Sequence, residues 1–135
     1  MKLPRRLRDE RGLSSVEMML LLPLFALLLF GGLELGRAVA LKMALDDGVW
    51  YAARYLTVQD PWDETRAVEV VEMAVDRAIL GSAEVKVQIT DEGTRSFGSA
   101  LTVRAEAKLP AAIPFLSPHP LTLKAAHTQW VEVYP

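Results

Sequence analysis

The polar and apolar positions of this chain fall into three regimes. Residues 18–33 read MMLLLPLFALLLFGGL without a charge. With residues 13–17 before it and 34–35 after it, this stretch reaches the about 20 residues that a helix needs to cross the hydrocarbon of a bilayer. Its eight Leu and two Phe contribute about −3 to −6 kcal/mol toward insertion. Pro23, Gly31 and Gly32 offset part of that gain, but lipid tolerates them better than water does. Helical spacing continues past the apolar run. Ala38, Leu41, Leu45, Val49, Ala52 and Leu56 recur every three or four residues, while Lys42, Asp46, Asp47 and Arg54 take the other side. One helix over residues 13–56 is about 66 Å long, twice the hydrocarbon thickness. Its distal half must therefore dock on a body outside the membrane.

A second helix follows. Asp60-Pro61 predicts an N-cap with proline at the first helical position. Val68, Val71, Val75, Ala78 and Ile79 form its apolar stripe, Glu64, Arg66, Glu69, Glu72, Asp76 and Arg77 lie largely outside it, and Gly81 stands at the C′ position. The period then changes to two. Val85, Val87 and Ile89 alternate with polar residues, as do Leu101, Val103, Ala105 and Ala107 after the turn-rich DEGTRSFGS. Prolines 110, 114, 118 and 120 mark an irregular connection before a last strand in LTLKAAHTQWVEVY. The expected fold class is α+β: a long N-terminal helix, a second helix, and a three-stranded antiparallel meander with one face laid on the helices. The chain divides into residues 1–12 as a basic head, 13–35 as a transmembrane helix, 36–58 as its extramembrane continuation, and 59–135 as helix plus sheet.

Charge gives this layout a direction. Residues 1–12 carry five Lys/Arg against two acids, net +3, whereas the remainder carries ten Lys/Arg against fifteen acids, net −5. The positive-inside bias keeps the basic head in the cytoplasm and sends the C-terminal body across the membrane. A cleaved secretory signal is the competing reading, with Ala38-Val39-Ala40 as an A-x-A site. Against it, the apolar run is long, and Glu34 and Arg37 precede that site. The acidic body offers no basic stripe for nucleic acid.

The sequence shows no catalytic set, so the chain is read as not an enzyme and as needing no cofactor. It has no cysteine. His119 lies between prolines, His127 lies on a strand, and neither has the carboxylate spacing of a metal site. No serine sits in G-x-S-x-G, and Gly93-x4-Gly98 lacks the lysine of a phosphate-binding loop. Trp50, Tyr51, Tyr55 and Trp62 cluster near the end of the long helix. Core packing is the first explanation for them, and a subunit-contact patch the second.

Glu17 is the unusual residue. A carboxylate one turn inside an apolar span is costly unless it has a partner or a role. Gly12 stands five residues earlier, directly after RRLRDER, giving RG-LSSVE-MMLLLPLFALLLF. This arrangement resembles the class III signal of type IV pilin-like proteins, which a prepilin peptidase cuts on the cytoplasmic side. The resemblance implies a cut between Gly12 and Leu13, removal of residues 1–12, and a free amine on Leu13. Glu17 of one subunit can then pair with the Leu13 amine of a neighbour, which makes it a register device for assembly. Met18 takes the position where the family usually has an aromatic residue. Pro23 is expected to bend the span, and Gly31, Gly32 and Gly36 to let neighbouring helices approach.

The whole order is similar to the TadE-like family of the tight-adherence (Flp, type IVb) pilus system. The similarity runs from RGLSSVEMMLLLPLFALLLFGGLELGRAV through DDGVWYAARY to LTVRAEAKLPAAIPFLSPHPLTLKAAHTQWVEVY. It implies a pilin-like fold and a minor pseudopilin that supports pilus assembly and hence cell adhesion. Its implied partners are other minor and major pilins, the prepilin peptidase, the inner-membrane assembly machinery and the lipid bilayer. The implied place is the inner membrane, single-pass, with a periplasmic C-terminal domain, or the pilus itself. The alternative is a membrane-anchored envelope binding module with no pilus role.

Overall fold

The computed structural model describes residues 10–59, 62–78, 83–91, 96–110 and 119–132, with side chains from Ser15 onward. Helix α1, Glu10–Val58, is one uninterrupted element of 49 residues. It starts three residues before the expected Leu13 and passes through Pro23 without a break. The chain divides into two compact units, Met1–Leu33 and Glu34–Pro135. The first is the apolar part of α1, where no described side chain from Ser15 to Leu33 is buried.

The second unit is a two-layer α+β body. Helix α2 spans Glu64–Ala78, and strands β1 (Glu84–Asp91), β2 (Ala100–Leu109) and β3 (Leu121–Trp130) form an antiparallel sheet in the order β1-β2-β3. The register places Val87 beside Ala105 and Ala105 beside Ala125, and it places Ile89 beside Val103 and Val103 beside His127. Alternation then puts one set of side chains on a single face. On β2 that face is fully apolar and buried: Leu101, Val103, Ala105, Ala107 and Leu109. It packs with Leu41, Leu45, Val49, Ala52, Ala53 and Leu56 of α1 and with Ala67, Val71 and Val75 of α2. Each fully buried Leu or Val contributes about 1.5–3 kcal/mol. The period-two and period-3.6 patterns of the sequence thus meet in one core.

Three contacts tie β3 and the residues after it to α1. The Glu132 amide donates to the Thr57 carbonyl at 3.0 Å, and Arg54 and Glu132 form an ion pair. Farther along, the Lys42 ammonium donates to the Lys124 carbonyl on β3 at 2.8 Å. Gly98, at φ +79°, adopts the left-handed conformation that lets the chain turn into β2. Its amide and that of Val131 then extend the pairing through Val131 and Ser99 carbonyls, each at 2.9 Å.

The start of α2 differs from the expectation. Asp63 is the cap: its Oδ1 accepts the Arg66 amide at 2.9 Å and its carbonyl accepts the Ala67 amide at 3.1 Å. Asp60, Pro61, Ile79 and Gly81 lie outside the described residues. In the first turn Arg66 donates to Glu69 at 2.7 Å. That hydrogen bond, with the Glu69 charge, raises the guanidinium above its ordinary pKa.

Core packing does not explain the whole aromatic cluster. Tyr55 and Trp62 are half-buried against the core, but Trp50 and Tyr51 are exposed, meeting edge to face with ring centroids 4.9 Å apart. The reason is angular. Val49, Ala52 and Ala53 point into the core, so the two positions between them turn outward at about 100° per residue. Of the histidines, His127 is half-buried opposite Val103, and His119 is exposed.

Candidate functional site: the N-terminal helix

The residues singled out by sequence all lie on α1. Gly12 and Leu13 are helical in backbone, and their side chains lie outside the described ones. Glu17 is exposed, followed by sixteen uncharged residues. Leu13 and Glu17 are four apart on one helix, an axial separation of about 6 Å. Pro23 has no amide hydrogen, so the Met19 carbonyl lacks its usual helical donor inside a continuous helix.

The glycines of α1 fall into two kinds. A Cβ built on Gly31, Gly32 or Gly36 meets nothing within 4 Å, whereas one built on Gly48 lies 3.2 Å from the Val71 Cα and 3.2 Å from the Ala74 Cβ. Gly48 is therefore spent on packing α2 against α1 inside the body. The fold makes no such use of the other three, whose small size is free for contact with a separate helix.

In the body, Gly36, Val39 and Met43 follow one another at spacings of three and four, and in the apolar part of α1 Phe25, Leu29 and Gly32 do so at four and three; all are exposed. Trp50 lies seven residues beyond Met43, with Asp46 between them. This alternation is the spacing of a helix–helix seam. It was masked because every position of the apolar run is hydrophobic, so no stripe stands out there. The structure does not bring Glu17 into contact with any of the predicted glycines.

Among the described residues one helix is long and apolar enough to cross a membrane, which fits a single-pass anchor. Also among the described residues, no group of three or more His, Cys, Asp or Glu could hold a metal ion. A family model described as TadE-like protein matches residues 12–54. The matched segment begins at Gly12 and takes in Leu13, Glu17, Pro23, Gly31, Gly32 and Gly36. It leaves α2 and the sheet outside. No curated protein and no solved structure matches the chain.

Proposed function

We propose, on the premise that the chain is TadE-like over residues 12–54, that it is a minor pseudopilin supporting assembly of a Tad/Flp type IVb pilus. In this reading residues 1–12 lie in the cytoplasm, held there by the positive-inside bias. The helix crosses the inner membrane once, and the α+β body is periplasmic. A prepilin peptidase cuts between Gly12 and Leu13. Because that bond lies in a helix, an enzyme that takes its substrate extended must first unwind the terminal turn. Glycine lowers the cost of doing so by about 1 kcal/mol relative to alanine. The cut leaves an amine on Leu13 that is largely cationic near neutral pH.

Glu17 carries the proposal. It is a lone carboxylate at the head of a charge-free run of sixteen residues, and in low dielectric an unpaired charge costs several kcal/mol. The Leu13 amine of a neighbouring subunit removes that cost, so a subunit is admitted only at the register where the pair forms. The protein is a structural assembly component, and the chemistry it undergoes is performed on it by the peptidase. Its partners are other minor and major pilins and the inner-membrane machinery.

A strain lacking this protein, complemented with wild type or with Glu17→Ala, tests the proposal. Wild type restores the number of pili, while the variant inserts in the membrane and does not restore them. Normal piliation in the strain lacking the protein overturns the assembly function. Normal piliation with Glu17→Ala overturns the role given to the carboxylate.

A further inference from the structure

The acidic body carries one face of opposite sign. Alternation along the strands turns Lys86, Arg104, Lys108 and Lys124 to the side of the sheet away from the core, against Glu84 and Glu106. Three ion pairs occupy those two carboxylates: Lys86 and Lys108 on Glu84 at 3.6 and 3.9 Å, and Lys124 on Glu106 at 3.4 Å. Arg104 is exposed on the central strand between Gln88 and Ala126, and it forms no ion pair among the described residues. It lies in a cleft of about 560 Å³ whose charged lining is Lys42, Lys86, Arg104 and Lys124 against Asp46 and Glu106.

The complementary surface is on the same chain. Residues 63–78 hold five acids against two arginines, and one of those arginines, Arg66, is engaged by Glu69. Glu72 and Asp76 are exposed, form no ion pair among the described residues, and stand at i, i+4 on α2, where like charges oppose each other. Helix α2 packs its other face into the core and touches β1. The acidic ridge thus lies on the solvent side of α2, away from the residues it buries, and none of its residues lines the basic cleft.

We propose that a second copy of this chain occupies the cleft, with the Glu72–Asp76 ridge of its α2 laid against Arg104 and Lys86. The spacings agree. The two carboxylates are separated by about 6 Å along the helix axis, and Arg104 and Lys86, diagonal neighbours on adjacent strands, by about 7–8 Å. The guanidinium supplies a two-pronged donor for a carboxylate. Because the two surfaces differ, the contact is head to tail and leaves a cleft and a ridge unused at the ends, which permits continued addition of copies. This contact does not depend on processing of the N-terminus.

The test uses the full chain in uncharged detergent micelles, followed by sedimentation at about 0.01 M and about 1 M salt. Self-association at low salt is expected to weaken at least about tenfold at high salt, and by a similar factor in Arg104→Glu or in Glu72→Lys. An equal mixture of the two variants regains pairing, since the new glutamate in one cleft meets the new lysine on the other ridge. Circular dichroism and the milder Arg104→Gln, expected to give an intermediate loss, separate charge from folding. Association through the apolar helix would be indifferent to salt and to all three substitutions, and that result overturns the proposal. So does a chain that stays monomeric at low salt yet binds vesicles rich in anionic lipid through Arg104.

Discussion

Gly48 and Val71 touch backbone to backbone: a Cβ on the glycine would stand 3.2 Å from the Val71 Cα. Helices α1 and α2 meet at a point where one of them has no side chain to offer. Gly48→Leu places four carbons into this contact, and overpacking of this kind costs about 1–3 kcal/mol. The helix-propensity gain of about 1 kcal/mol for replacing glycine recovers part of the loss. Denaturant unfolding of the full chain in detergent is expected to show net destabilisation for Gly48→Leu.

The opposite outcome is expected at Gly36, where an added Cβ meets nothing within 4 Å. Gly36→Leu leaves the stability of the body unchanged or raises it by up to about 1 kcal/mol. It weakens association between α1 helices of separate chains, because the small-residue approach is lost. Energy transfer between labelled chains in vesicles measures this. Undiminished transfer would show that Gly36 is not at a contact.

Leu45 and Trp50 separate packing from surface on the same helix. Leu45 is 0% exposed and Trp50 45%. Leu45→Ala is expected to cost about 2–5 kcal/mol, and Trp50→Ala less than about 1 kcal/mol. If Trp50 serves a contact between subunits, its removal lowers incorporation into assemblies without lowering the unfolding midpoint.

At the start of α2, Asp63→Ala removes the acceptor of the Arg66 amide and is expected to cost about 1 kcal/mol. Asp63→Asn keeps the cap and is expected to restore most of the stability in the same unfolding measurement.

The particular elements explain how much of this was legible in the sequence. The alternation of Val85, Val87 and Ile89 and of Leu101 through Ala107 prescribed both the strands and their buried face, because a period of two admits only one solution once a core lies on one side. The α1 stripe from Leu41 to Leu56 was equally readable. The cap was placed three residues early: Asp60 and Asp63 are both aspartates before an apolar stripe, and only the backbone path decides which carboxylate reaches an amide. Gly48 gave no sign of its role, since a glycine inside a helix reads as a penalty until the second helix is in place. Trp50 and Tyr51 were drawn toward the core by their size, although the angles of Val49 and Ala52 leave them outside. At the candidate site, the basic head, Gly12 and Glu17 stand out only as a spacing along the chain. The free face through Val39 and Met43 emerged only when burial of the opposite face distinguished one apolar residue from another.

Mass spectrometry of the chain purified from membranes, with and without its prepilin peptidase, bears most directly on the assembly role. The account predicts a mature protein beginning at Leu13 only when the peptidase is present, and an intact Met1 start when it is absent. A chain that keeps residues 1–12 in the presence of active peptidase, or one that begins at Leu41, would contradict it.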